Sequence, residues 1–595
     1  MSPKHFPPLL LTLCLLVAQS VSAASRRPVQ AADGMVVSSS PVASRVGVGI
    51  LRQGGNAVDA AVAVGFALAV VHPSAGNVGG GGFMTLHLAE SNGQTTVDFR
   101  ETAPASAFRE MYLDDSGEVV PGLSTRSHLA SGVPGSVAGL HLAWRRWGTL
   151  AWSDLIAPAI QLAGEGFIVS ADLSESLSAA QELLSGHPES RRIFLRDGRP
   201  YQEGELFVQP ELARTLRRIA EDGPDAFYRG EIARLIEQEM YRGQNGITRE
   251  DLASYRPLIR EPIRGEYKGL DIVSMAPPSS GGAILIQMLN ILERFPLATL
   301  GHGSSISLHL QAETMRLAFA DRAHYFGDPD FVTIPLRRLL SGRYAQQQAR
   351  GIRTDLATPS RILRGGLPSD ESEDTTHYSV VDRARNAVAV TTTINGSYGS
   401  GITIPGAGFL MNNEMDDFTS RPNTPNMFGL IQGEANSIQP GKRPLSAMTP
   451  TIVLREGSPY LVLGSPGGPT IINTVLQILL NVVDYGLNIQ EAVDAPRIHH
   501  QWMPDELVLE EQGIPVDVEV NLRRRGHRIR FRSTIGDAHC ILIDPETGML
   551  QGAADPRRGG EAVGWSDSRA ARSGSDRSDV VGRVRQTTEN PNHKP

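Results

Sequence analysis

Cysteine is almost absent from this chain of 595 residues: there are two, Cys14 and Cys540. With Cys14 inside an apolar N-terminal stretch, Cys540 has no partner, so stability rests on an apolar core and not on an internal disulfide. There is no excess of positive charge either. The formal net charge is -8, which leaves no electrostatic footprint for nucleic acid. Aromatic residues make up 6% of the chain, and no repeat of fixed period runs through it. Beyond the N-terminus no apolar run reaches the roughly 20 residues that a membrane-spanning helix needs. Metal-ligand spacings and a phosphate-binding G-K-[ST] after the glycine run Gly79 to Gly82 are also missing, so that run reads as tight backbone packing, and His499 and His500 read as structural.

Hydrophobic residues make up 41% of the sequence, ample for a large core. The chain begins MSPKHFPPLLLTLCLLVAQSVSAASRR. Lys4 and His5 precede an apolar run from Leu9, and Val21-Ser22-Ala23 supplies small residues for a signal peptidase. Residues 1–23 therefore read as an export signal, with the periplasm as the expected destination and the medium second. No membrane anchor is expected after its removal. At the other end, residues 566–595 carry few apolar side chains and are expected to be disordered.

Between these ends, helix and strand signals alternate. SSISLHLQAETMRLAFADRAHYFGD sets Leu308, Ala312, Met315 and Phe319 on one face of a long amphipathic helix. VVDRARNAVAVTTTI reads as two strands about a turn at Arg383 to Asn386, and TIVLREGSPYLVLG as a hairpin turning at Glu456-Gly457. GPTIINTVLQILLNVVDYG reads as a buried helix with Pro469 near its start and Gly486 past its end. Layered α/β packing with sheets inside and helices outside follows from this order. The polar stretch Thr354 to Asp374 reads as a mobile linker.

That linker ends in ESEDTTHYSVVD. From these residues alone, Thr375-Thr376 reads either as the start of a β-strand, where Thr is at home, or as something more. A threonine hydroxyl is a weak nucleophile until a base takes its proton. If the Asp374-Thr375 bond were cut, the new α-amine of Thr375, with an ordinary pKa of about 7.7–8.0, would be such a base.

TTHYSVVD, followed by NAVAVTTTING, NNEMDDF, GKRPLSAMTPT and LGSPGG, closely resembles the small subunit of γ-glutamyltranspeptidases, members of the N-terminal nucleophile hydrolases. The resemblance extends from GGNAVDAAVAVGFALAVVHPSAGNVGGGG to Asp555-Pro556-Arg557. It implies a four-layer αββα sandwich formed by one intertwined unit. Self-cleavage between Asp374 and Thr375 would give a large subunit, 24–374, and a small catalytic one, 375–565 with the tail, which stay together as a heterodimer. Thr375 is then the nucleophile for both reactions, and Thr393 is the threonine that hydrogen-bonds it.

The resemblance further implies that Arg100 and Ser446 bind the substrate α-carboxylate, while Asn395, Glu414 and Asp417 bind its α-ammonium. Gly467 and Gly468, just before a helix start, form the oxyanion hole, where a single donor is worth about 3–4 kcal/mol. Ser465 does not fit a G-x-S-x-G nucleophile elbow, because Leu463 stands two residues before it. Two departures from the family pattern stand out. Ala447 replaces a second serine, leaving a backbone N–H there for the carboxylate. Phe428 stands where a lid tyrosine often lies, which permits a gate by ring packing but no hydroxyl latch.

The activity implied is that of a γ-glutamyltransferase and glutathione hydrolase. It acts on glutathione and other γ-glutamyl compounds with amino-acid or dipeptide acceptors, and needs neither cofactor nor metal. The rivals are a cephalosporin (glutaryl) acylase, a poly-γ-glutamate-processing enzyme, or an inactive exported amino-acid binding protein.

Overall fold

The computed structural model describes residues 26–243, 246–363, 375–422 and 424–567. The expected export signal, Asp374 and all but Ser566 and Asp567 of the expected tail lie outside these residues. Two seven-stranded sheets, antiparallel throughout, form the centre. The first runs, in spatial order, Glu561–Trp565, Gly34–Ser38, Thr376–Val381, Ala387–Thr393, Gly81–Leu88, Gly93–Asp98 and Leu258–Arg260. The second runs Val29–Ala31, Leu550–Ala554, His539–Ile543, Ser458–Leu463, Thr451–Arg455, Leu270–Ser274 and Ile263–Tyr267. Residues on both sides of position 375 thus alternate within each sheet, so neither part of the chain has a core of its own.

The sheets face each other across a buried apolar layer that includes Met35, Val37, Ala389, Ile452, Val462 and Ile541. Helices cover both outer faces. Pro41–Arg52, Ala57–Val71 and Ser136–Trp147 pack on the first sheet; Gly281–Leu292 and Ile489–Asp494 pack on the second, backed by Ser305–Tyr325 and Thr470–Val483. The result is the expected four-layer αββα sandwich. Every residue of Ala57–Val71 is buried, which explains its nearly unbroken apolar composition, and Asn56 and Asp59 close its N-terminus in a reciprocal capping box. No helix among the described residues is long and apolar enough to cross a membrane.

Both predicted hairpins form. Arg385 at φ 69°, and Glu456 and Gly457 at φ 52° and 80°, supply the left-handed backbone of their turns. The helix Thr470–Val483 begins immediately after Pro469. The helix Ser305–Tyr325 differs from its predicted one-sided character: His309, Glu313, Thr314, Arg316 and Arg322 are buried along with Leu308, Ala312, Met315 and Phe319. Periodicity misses this because the polar face packs against ion-pair and histidine partners instead of water. The proposed linker is corrected over residues 354–363. There Thr358 N–H donates to Glu313, Ser360 N–H donates to Asp505, and Trp502 Nε1 donates to the carbonyls of Ser360 and Leu363. Residues 364–374 lie outside the described part. Cys540 is buried in a central strand without a disulfide partner, and burial pushes its thiol up to about 12.

The glycine run Gly79 to Gly82 has the packing role expected of it. A Cβ on Gly80 would stand 2.1 Å from the Thr393 carbonyl oxygen, and one on Gly82 would stand 2.4 Å from that of Thr391. Backbone cannot give way there as a flexible side chain could, so the strand carrying Thr393 would be pushed off its neighbour. Gly80→Ala is therefore expected to destabilise the protein by at least 1–3 kcal/mol, roughly the cost of overpacking. Gly49→Ala, in the helix Pro41–Arg52 with nothing within 4 Å of the new methyl, should stabilise it by about 0.5–1 kcal/mol. Denaturant unfolding of the two variants checks the contrast, and equal behaviour would refute it.

Candidate active site

Strand pairing sets the first part of the site. Thr376 pairs with Thr392 across the two central strands of the first sheet. One step further in the same register, Thr375 stands opposite Thr393, at the end where the strands leave the sheet. Both line a narrow cleft together with Arg100, Arg322, Asn395, Glu414, Asp417, Phe428, Ser446, Ala447 and Gly468. Nine of the sequence-predicted site residues thus meet in one cavity, although they are drawn from six separate stretches of chain. Gly467 adjoins the cavity as the neighbour of Gly468.

Thr393 Oγ1 accepts the backbone N–H of Asn395 at 2.8 Å, and Asn395 has φ 74°. That left-handed turn, which asparagine tolerates better than most residues, swings its side chain to the carbonyl of Asn413 at 3.0 Å. It ties the end of the nucleophile-facing strand to the short 3₁₀ turn Glu414–Asp417.

Arg100 is fully buried at the end of the strand Gly93–Asp98. Its Nη1 donates to Glu414 and its Nη2 to Asp417, while Nε and Nη2 also reach the carbonyls of Pro444 at 3.2 Å and Leu445 at 3.3 Å. The expected carboxylate-binding arginine is therefore engaged by the two acids expected to hold the ammonium. Burial works against the guanidinium charge, yet Glu414 and Asp417 hold it protonated more firmly than usual. Burial raises Glu414 and Asp417 above the ordinary carboxylate range, opposed by Arg100. Asp417 also accepts from Asn426 Nδ2 at 3.1 Å, and its carbonyl accepts from Gln432 and Asn436. Sequence reasoning missed Glu101, whose carboxylate lies 3.8 Å from Arg100 and is pushed by burial up to about 7. Its position next to Arg100 was the available signal.

Ser446 Oγ accepts the Met448 N–H at 3.1 Å, and the Ser446 carbonyl accepts both the N–H and the hydroxyl of Ser280. The Ser280 hydroxyl in turn accepts from Arg322 Nε at 2.8 Å. Arg322 was also missed, because an arginine in the last turn of a long helix reads as an ordinary C-terminal charge and carries no local mark of a site.

Gly467 and Gly468 have φ 131° and 52°, and the Gly467 carbonyl accepts the N–H and hydroxyl of Thr470 in the first turn of the helix Thr470–Val483. Among the described residues neither glycine N–H has a protein acceptor. Two free donors beside a helix N-terminus suit a developing oxyanion. The Phe428 ring lies over them, with Cδ1 3.1 Å from where a Gly468 Cβ would be. The Ser465 hydroxyl donates to the Pro466 carbonyl and accepts the Asp537 N–H in the interior, away from a nucleophile's position.

His499 and His500 are buried and held neutral, each lowered to about 3 by burial; His499 is bonded to Asn473 and Gln501. The fold also gathers His309, Glu313 and His527, a grouping that no spacing in the sequence announces. His309 and His527 bond each other at 2.8 Å, and Arg316 and the Thr358 N–H occupy the Glu313 carboxylate.

The γ-glutamyltranspeptidase family profile matches residues 43–565. The glutathione hydrolase proenzyme of Escherichia coli (strain K12) is 50% identical over 533 residues, covering 89% of this chain and 91% of that one. Among solved structures, the cephalosporin acylase from Bacillus halodurans is similar with a TM-score of 0.81 at 29% identity, covering 93% of this chain and all of that one. The γ-glutamyltranspeptidase of Helicobacter pylori matches with a TM-score of 0.54 at 46% identity, over 58% of this chain and 96% of that chain. A profile match over most of the chain, together with close relatives along nearly its full length, makes this protein a member of the γ-glutamyltranspeptidase family of N-terminal nucleophile hydrolases.

Proposed function

We propose that the protein is an exported γ-glutamyltransferase and glutathione hydrolase that cuts itself between Asp374 and Thr375. The observation that carries this reading is the meeting, in one buried cleft, of Thr375, the Gly467-Gly468 N–H pair and the charged set Arg100, Glu414 and Asp417. In self-cleavage, Thr375 Oγ attacks the Asp374 carbonyl carbon. The peptide becomes an ester, and water releases an Asp374 carboxylate and a free Thr375 α-amine. In turnover, that amine takes the proton of Thr375 Oγ as the oxygen attacks the γ-carbonyl carbon of the donor. Gly467 and Gly468 donate to the resulting oxyanion. The C–N bond then breaks, the proton passes to the departing amine (cysteinylglycine when glutathione is the donor), and a γ-glutamyl ester remains on Thr375. Water or the amino group of an amino acid or peptide attacks this ester and regenerates the hydroxyl.

Donor recognition follows from charge. The γ-glutamyl group is a zwitterion at its α-carbon, and a buried site must answer both charges because an unpaired buried charge is costly. Asn395, Glu414 and Asp417 answer the ammonium; Arg100, Ser446 and the Ala447 N–H answer the carboxylate. A glutaryl or cephalosporin acylase need not bind an α-ammonium, so two buried acids in the cleft speak against that alternative. An inactive binding protein would have no use for the free N–H pair or for a threonine at that spot. The large and small fragments would remain a heterodimer, because strands from both alternate in each sheet. The periplasm is the proposed destination, with the medium second.

Three outcomes test this reading. Thr375→Ala should appear as one uncut band on a denaturing gel and show no turnover of a γ-glutamyl anilide; normal turnover in that variant sinks the assignment. Asp417→Ala should raise KM about 10- to 100-fold, the loss of one charged hydrogen bond, while still cutting itself; equal loss of both would show that Asp417 serves scission instead. Gly468→Ala puts a methyl at φ 52° against the Phe428 ring. Its kcat should fall about 100-fold, as for a lost oxyanion donor, with KM little changed; an unaltered kcat excludes Gly468 from the oxyanion site.

A further inference from the structure

Arg322 lines the cleft from the last turn of the helix Ser305–Tyr325. The residue is 2% exposed, as buried as a core leucine, and a guanidinium so placed would ordinarily have its donors satisfied by protein. Its Nε is satisfied, donating to Ser280 Oγ at 2.8 Å. Its Nη1 and Nη2 meet no acceptor and no carboxylate within bridging distance among the described residues, and the side chain lines the substrate cleft. Burial lowers it to about 10, so it remains charged at neutral pH.

The charges around it give those open donors a purpose. Arg100 is already bonded to both Glu414 and Asp417 and to two backbone carbonyls. A substrate carboxylate arriving there meets one cation whose charge two anions already offset. The Arg322 guanidinium is the second cation of the cleft. It is also wired to the expected carboxylate site: Ser280 Oγ, which accepts from Arg322 Nε, donates to the Ser446 carbonyl at 2.7 Å. Ser446 and Ala447 line the same cavity.

Resting on the γ-glutamyl reading above, we infer that Arg322 is a further specificity-determining residue, whose Nη1 and Nη2 donate to the α-carboxylate of the bound donor. Arg322 then shares the carboxylate with Arg100, which also holds Glu414 and Asp417 in place for the α-ammonium. The Ser280 hydroxyl is a positioning group that orients the Arg322 fork.

The experiment compares the full-length, self-cleaved wild type with Arg322→Gln and Arg322→Lys. The donors are a γ-glutamyl anilide and the 4-aminobutanoyl anilide, which keeps the amine and lacks only the α-carboxylate; free glutamate and 4-aminobutanoate serve as competitive inhibitors. All three proteins should give two bands and similar melting temperatures, since Nη1 and Nη2 hydrogen-bond to no protein group among the described residues and act on Asp417 only through space. For Arg322→Gln, KM for the γ-glutamyl anilide and the inhibition constant of glutamate should rise about 10- to 100-fold, with kcat changed much less. Lys should recover part of the loss, because it restores charge without the planar fork. Values for the two compounds that lack the α-carboxylate should stay within about twofold. Equal losses for compounds with and without the α-carboxylate, or an unchanged glutamate inhibition constant, would overturn the inference while leaving the γ-glutamyl reading intact. A wild type that binds neither glutamate nor the γ-glutamyl anilide would overturn both.

Discussion

The site depends on one buried ionic knot: the Arg100 guanidinium with Glu414 and Asp417. Burying such groups is expensive, and the expense is recovered only when each charge has partners on several sides. Arg100 provides them by joining three stretches that are distant in sequence: the end of a central strand, the 3₁₀ turn Glu414–Asp417 and the loop at Pro444-Leu445. Removing any partner leaves an uncompensated charge in the interior. The knot therefore determines where the acidic turn and the Ser446 loop sit relative to the nucleophile strand.

The second constraint is close backbone approach. Gly79 to Gly82 allow the strand carrying Thr393 and the loop at Leu410 to come nearer than any Cβ would permit. Gly467 and Gly468 expose two N–H groups by turning through a left-handed backbone that other residues resist. Both glycine stretches serve the same end. They let the main chain do the recognition, as donor or as wall, where a side chain would only occupy space. Thr375 and Thr393 stand at one end of the paired central strands, and Phe428 lines the same cleft.

Much of this was legible beforehand because it is written in short-range patterns. The turns at Arg385 and at Glu456-Gly457, the apolar helix Thr470–Val483 and the glycine-rich approach near position 80 each depend on a few adjacent residues. The site residues were legible for another reason: they fall in motifs that resemble a known family. What escaped were features made by packing alone. Thr354 to Leu363 has a linker's composition, yet Glu313, Asp505 and Trp502 anchor it. The helix Ser305–Tyr325 has the spacing of a one-sided helix, yet buries its polar face against histidine and arginine partners.

Local chemistry in the chain was enough to determine an apolar core without disulfides and the position and type of most central elements, while motifs that resemble a known family marked the candidate site residues. Only the tertiary structure decided how the charges are shared. It took Arg100's donors for Glu414 and Asp417, left those of Arg322 facing the cleft, and brought Glu101 alongside. The physical reason is that a charged side chain's role is set by the carboxylates and carbonyls within about 3–4 Å of it. For Arg100 the hydrogen-bonded neighbours come from residues more than 300 positions away.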